Sequence, residues 1–232
     1  MRFKSNKFAL IKKICASLVT LLLLLPIVSC SMLTQPFVSP QASHPPAVNV
    51  DHLKQHVTYF SETVYPRSYD QEKNINLAAD YIKKHFEQNS THVSEQTFTV
   101  QGKTYRNIIA RFGPENGKPI IIGAHYDSYG NTATAPDDTG YSLYSHTPGA
   151  DDNASGVAGL LELARLLKET PPTRSIELVA YTLEEPPFFR TAQMGSAVHA
   201  HSLIIENRQI ALMISLERIA YFKQEPGTKT YL

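Results

Sequence analysis

The 232 residues suffice for one sizeable domain with a buried core, and two cysteines are too few for a disulfide framework. The 22 Lys and Arg nearly balance the 21 Asp and Glu. Five of the basic residues (Arg2, Lys4, Lys7, Lys12, Lys13) precede position 30, so the rest of the chain holds 17 against 21. That balance carries no basic patch or stripe, and no nucleic-acid partner is expected.

The basic start leads into an apolar run from Ile14 to Val28 and then into Ile27-Val28-Ser29-Cys30. This resembles a bacterial lipoprotein signal, in which Cys30 becomes the lipidated first residue of the mature chain. An uncleaved anchor needs roughly 20 apolar residues, whereas this run is shorter and is broken at Pro26. The organisation expected is a signal peptide over 1–29, a Pro-rich tether over 30–50 and a catalytic domain over 51–232. The domain is expected outside the cytoplasm, held to the membrane by a lipid anchor at the bacterial cell envelope. Ser31 after the cysteine favours the outer membrane in a Gram-negative cell. Cys15 leaves with the signal and Cys30 carries lipid.

The tether holds Pro36, Pro40, Pro45 and Pro46 among Ser, Gln and Ala. Asp51 reads as the N-cap of a helix with Leu53, Val57, Phe60 and Val64 at helical spacing. A second helix spans Gln71 to Glu87, with Ile75, Ala78, Ala79, Ile82 and Phe86 on one face. His92 to Gln101 and Tyr105 to Phe112 read as an antiparallel pair of strands. Apolar strands and helices then alternate: strand Pro119 to Ala124, helix Ala154 to Lys168, strand Ser175 to Thr182, helix Met194 to Ile205, strand Ile210 to Leu216. Alternation of this kind predicts an α/β fold, a three-layer sandwich around a mixed, largely parallel central sheet.

In such sheets ligands bind beyond the carboxyl ends of the strands, and the chemically interesting residues fall there. His125 ends the first apolar strand in G-A-H-Y-D-S, Glu184 and Glu185 end the next in Y-T-L-E-E-P-P, and Glu217 follows Met213-Ile214-Ser215-Leu216. Asp151 and Asp152 precede a helix in P-G-A-D-D-N-A-S-G. Singly, each has a plain structural reading: a hydrogen-bonded strand-end histidine, a helix N-cap, a solvated strand end. Together they supply convergent N and O ligands and a spare carboxylate to move a proton, as a hydrolytic zinc site requires. Asp127 lies two residues after His125, within reach of its second ring nitrogen, and Pro186 holds Glu185 extended. The chain has no G-x-S-x-G, H-E-x-x-H or phosphate-binding glycine loop.

From about Tyr105 to Phe222 these motifs, in their order and spacing, resemble the two-zinc aminopeptidases. That family includes the bacterial leucyl aminopeptidases and has glutamate carboxypeptidase and glutaminyl cyclase relatives. The resemblance implies that His125 and Glu217 bind a first zinc, Asp151 bridges two zincs, and Glu185 binds the second. It makes Glu184 the general base, has Asp127 and Asp152 support the ligands from behind, and implies a cis Asp151–Asp152 peptide bond. The implied activity is hydrolysis of the N-terminal bond of peptides or proteins. Two departures are visible. Glu217 stands where many members have Asp, and the family draws its last ligand from a downstream histidine that none of His146, His199 or His201 matches. His199 and His201 read as surface residues of a helix. The expectation is a C-terminally truncated member with the second zinc in question and an apolar sheet edge left uncovered. A non-catalytic envelope lipoprotein that keeps the fold as a binding module is one alternative, and a one-zinc glutaminyl-cyclase-like acyl transferase is another. The loop from Tyr129 to Tyr144 is a candidate for shaping side-chain preference.

Overall fold

A computed structural model describes residues 47–129 and 148–220. The signal segment, Cys30, most of the tether, the loop beyond Tyr129, and His146 lie outside the described residues.

The first helix, α1 (Val50–Thr58), is capped by Asn49 rather than by the expected Asp51. The Asn49 side chain accepts the N–H groups of Asp51 at 3.0 Å and His52 at 3.1 Å. Asp51 instead places its charge in the first turn, where the helix dipole favours an anion. Packing also begins ahead of Asp51: the Asn49 N–H donates to Glu162 Oε1 at 2.7 Å and Arg165 Nη2 to the Ala47 carbonyl at 3.0 Å. The chain widens into a π turn over Tyr59–Thr63, which delivers Phe60 and Val64 to the core. Helix α2 (Glu72–Asn89) buries Ile75, Ala78, Ala79, Ile82 and Phe86, the apolar stripe that its sequence predicts.

Strands β1 (His92–Val100) and β2 (Lys103–Phe112) form the expected antiparallel pair. Gln101 and Gly102 join them with positive φ angles of 50° and 77°, the backbone twist that a two-residue hairpin turn demands. Then follow β3 (Ile120–His125), α3 (Gly156–Glu169), β4 (Ile176–Tyr181), α4 (Gly195–Ile205) and β5 (Leu212–Ser215). The sheet order is β1-β2-β4-β3-β5. β3 lies parallel to both β4 and β5, and β2 runs antiparallel to β4.

Alternate side chains of each strand point to opposite faces. Ile108, Ala110, Leu178 and Ala180 join Phe60, Ile82, Phe86 and Leu160 under α1, α2 and α3. Ile109, Ile121, Val179 and Tyr181 pack on the other face with Leu203 of α4. The result is the three-layer sandwich with a mixed sheet. Fully buried side chains of this size contribute roughly 1.5–3 kcal/mol each, so the sheet is a firm platform for what stands on its ends. β5 forms the outer strand, with Leu212, Met213 and Ile214 exposed. Among the described residues no helix is long and apolar enough to cross a membrane.

The chain passes from β3 through α3 to β4 on one side of β3, then through α4 to β5 on the other. That reversal leaves a crevice at the carboxyl ends of the parallel strands.

Candidate metal centre

His125 is the last residue of β3 and is buried. Its Nδ1 lies 3.2 Å from the Asp127 carbonyl and 3.4 Å from Asp127 Oδ1. Both are acceptors, so Nδ1 carries a proton. Among the described residues Nε2 makes no regular hydrogen bond although it is buried. What faces it is carboxylate: Asp152 Oδ1 at 3.2 Å, Glu217 Oε2 at 3.4 Å and Glu184 Oε2 at 3.7 Å. Burial works against a charged imidazole here, yet Asp127, Asp152 and Glu217 outweigh it and raise His125 well above its usual range. The field at Nε2 therefore favours positive charge.

Each carboxylate arrives by a different route. β4 ends at Tyr181, and buried Leu183 turns the chain with φ 58°, a region that a bulky residue seldom enters. Glu184 and Glu185 follow. The Glu185 N–H donates to Asp127 Oδ2 at 2.9 Å, joining the end of β4 to that of β3. Burial first, then Asp127 and Asp152, push Glu185 up to about 8. Glu184 is raised chiefly by burial; His125 opposes this, and Asp127, Glu217 and Asp152 add to it.

The structure corrects the reading of the paired aspartates. Asp152, not Asp151, faces His125. Asp151 Oδ1 instead accepts the Ala220 N–H at 3.1 Å and meets Ser155 Oγ at 3.4 Å. The reason is backbone geometry: Gly149 takes a left-handed conformation, and Asp152 and Asn153 have non-helical φ/ψ values ahead of α3, so adjacent side chains diverge. The cis peptide bond is likewise one residue later than expected, at Asp152–Asn153. Burial opposes the ionised form of Asp152, but His125 and Arg218 hold it down at about 2.

Asn153, which the sequence does not single out, ties this turn to the segment after β5. Its Nδ2 donates to the Leu216 carbonyl at 2.8 Å and reaches Glu217 Oε2 at 3.3 Å, while its Oδ1 accepts the Gly156 N–H at 3.1 Å. Glu217 is thereby fixed beside Asp152.

Two groups of side chains present one ligand atom each within 4.8 Å of one another: His125, Asp152 and Glu217, and His125, Glu184 and Glu185. An imidazole nitrogen with carboxylate oxygens suits zinc, and Nε2, facing those oxygens, is the atom that would meet a metal. Asp127 behind His125 is the carboxylate that commonly orients a zinc-bound histidine.

The remaining histidines lie elsewhere. His201 is exposed, as expected. His199 is buried rather than at the surface: its Nδ1 pairs with Tyr181 OH at 3.0 Å, and its Nε2 lies 3.1 Å from Glu177 Oε1. A cavity of about 450 Å³ opens at the opposite end of the sheet. Its arginines, Arg111 and Arg208, pair with Glu177 at 2.8 Å each.

Comparison with known proteins agrees with this geometry. A family model described as peptidase family M28 matches residues 107–231, more than half of the chain. The uncharacterized protein YfbL of Escherichia coli (strain K12) is 46% identical over 220 residues, covering 95% of this chain and 64% of YfbL. Aminopeptidase YwaD of Bacillus subtilis (strain 168) is 33% identical over 110 residues, 45% of this chain and 21% of YwaD. A Zn-dependent exopeptidase from Parabacteroides distasonis matches in structure with a TM-score of 0.61 at 26% identity, covering 75% of this chain and 63% of that one. The chain thus spans less than two thirds of the length of these relatives.

Proposed function

The chain belongs to peptidase family M28, and from that premise we propose that it is a zinc-dependent aminopeptidase acting on the N-termini of peptides or proteins. The observation that carries this reading is the buried His125 Nε2, which faces the carboxylates of Asp152, Glu184 and Glu217. His125, Asp152 and Glu217 would hold one zinc, and Glu185 would offer a ligand to a second. Bound there, zinc supplies a Lewis acid for the scissile carbonyl and makes water acidic enough to be deprotonated near neutral pH.

The remaining steps fall to the chain's own groups. Glu184 sits at the mouth of the site beside His125, partly shielded from water, with its affinity for a proton increased by burial. It accepts the proton of the attacking water and returns it to the departing amine. Asp127 keeps the His125 ring in one orientation and, through the Glu185 N–H, keeps Glu184 and Glu185 at a fixed distance from it. The surplus of carboxylates favours the cationic α-amino group of a free peptide N-terminus.

We further propose that the protein works at the bacterial cell envelope, outside the cytoplasm, anchored by lipid on Cys30. The support is the Ile27-Val28-Ser29-Cys30 sequence after the apolar run. Metabolic labelling with a fatty acid should mark the wild-type chain and not Cys30→Ala.

The activity is tested with a panel of aminoacyl p-nitroanilides. The zinc-loaded chain should cleave those with a free amine, lose activity on chelation and ignore N-acetylated analogues. A zinc-loaded, folded chain that cleaves none of them would refute the assignment.

A further inference from the structure

We infer that Arg67 is a positioning residue of the metal centre, a buried guanidinium that fastens the segment bearing His125 and Asp127 to the segment bearing Asp152. The inference rests on the proposed zinc site and adds to it a residue from well outside the metal-binding motifs.

Arg67 is 0% exposed and stands among the largest fully buried side chains. A buried charge ordinarily requires a counterion in contact, yet all four hydrogen bonds described for its side chain end on backbone carbonyls. Nε donates to Tyr126 O at 2.8 Å, Nη1 to Phe60 O at 2.7 Å and to Pro148 O at 2.8 Å, and Nη2 to Gly149 O at 2.7 Å. The choice of carbonyls is informative. Tyr126 lies between His125 and Asp127, and Pro148 and Gly149 lead directly into Asp151 and Asp152. The backbone of Arg67 makes the same connection, its carbonyl accepting the Ser128 N–H at 3.3 Å. The guanidinium also lies 5.7 Å from the centre of the Phe60 ring, in the π turn that follows α1.

Gly149 makes the close approach possible. A Cβ there would come within 2.7 Å of Arg67 Nη2 and 2.5 Å of the Asp152 carbonyl, at a φ of 63° that side chains avoid. The backbone that aims Asp152 at His125 is therefore shaped around the guanidinium.

The second requirement is charge. Asp127, Asp152, Glu184, Glu185 and Glu217 crowd one crevice, and among the described residues Arg67 and Arg218 face them. Arg218 pairs with Asp152 at 2.5 Å, but its side chain is 63% exposed. Arg67 is fixed. Burial lowers its guanidinium to about 10 while Asp127, Asp152 and Glu185 oppose the loss, so it remains charged at neutral pH. Its field reaches the carboxylates from behind without occupying any of their oxygens, which stay available for a metal. Lysine would keep the charge but has no planar fork to hold Tyr126, Pro148 and Gly149 at once.

The test is the zinc affinity of the full chain and of Arg67→Lys, measured by competition with a chromophoric chelator, with thermal unfolding recorded with and without zinc. The expected result is zinc binding weakened about 10- to 100-fold in Arg67→Lys, the range seen when a group supporting metal ligands is removed, with a smaller zinc-induced rise in the unfolding midpoint. A purely structural arginine would lower the zinc-free midpoint and leave the zinc-induced rise intact, and that result overturns the inference. A wild-type chain that binds no zinc refutes the metal site, and this inference with it; wild-type binding with undiminished affinity in Arg67→Lys refutes this inference alone. If Arg67→Lys does not fold, the Nε–Hε resonance of Arg67 in the wild-type protein serves instead. Zinc should slow its hydrogen exchange about tenfold or more, and unchanged exchange overturns the inference.

Discussion

The backbone N–H of Glu185 donates to Asp127 Oδ2 at 2.9 Å, and the other oxygen of the same carboxylate lies 3.4 Å from His125 Nδ1. One buried side chain thus sets both the orientation of the histidine and the position of the Glu184–Glu185 pair. Asp127→Ala removes both supports and leaves the Glu185 N–H without its acceptor. It should weaken zinc binding about 10- to 100-fold and lower stability by about 1–3 kcal/mol, readable by chelator competition and urea unfolding.

Glu184 stands apart from the proposed first zinc set, in the position from which a proton can be moved. Glu184→Gln keeps its size and should keep zinc bound while slowing hydrolysis by about 10²- to 10⁴-fold. Steady-state kinetics beside a zinc assay separates the two effects. Unchanged turnover would exclude Glu184 as the general base and overturn the proposed mechanism.

At the far end of the sheet, Glu177 is buried among Arg111, Arg208 and His199. Burial alone would raise its pKa, but His199, Arg208 and Arg111 together hold it at about 2, well below the usual 4.5. The unfolded chain therefore binds this proton more readily than the folded one. The contribution to stability is full above about pH 4.5 and fades as pH falls toward 2. Glu177→Gln should lose on the order of 2 kcal/mol at neutral pH. That is less than for a wholly buried pair, because Arg111 and Arg208 are partly in water. Its urea midpoint should also depend less on pH between 5 and 2 than that of the wild type.

Much of the fold is legible in the sequence because its signals are local. The apolar stripe of α2 and the alternating strands and helices from Ile120 onward follow from residue periodicity, and strand ends place His125, Glu184, Glu185 and Glu217 on one edge. The paired aspartates are not legible in this way. Which of Asp151 and Asp152 faces the crevice depends on the backbone angles of Asp152 and Asn153 and on an N–H supplied by Ala220, 69 positions away. Helical spacing likewise leaves His199 without a partner, whereas the folded chain sets it against Tyr181 and Glu177 from a different strand. Arg67 carries no sequence signal at all, because its partners are backbone carbonyls that any residue could provide.

The most direct test of the account is equilibrium dialysis against zinc of the wild type beside Asp151→Asn and Asp152→Asn. The geometry predicts at least one zinc per chain in the wild type, near-normal binding in Asp151→Asn, and binding weakened more than about 100-fold in Asp152→Asn, since a ligand outweighs its supporting groups. A wild type that binds no zinc, or zinc lost with Asp151 and retained without the Asp152 carboxylate, would contradict it.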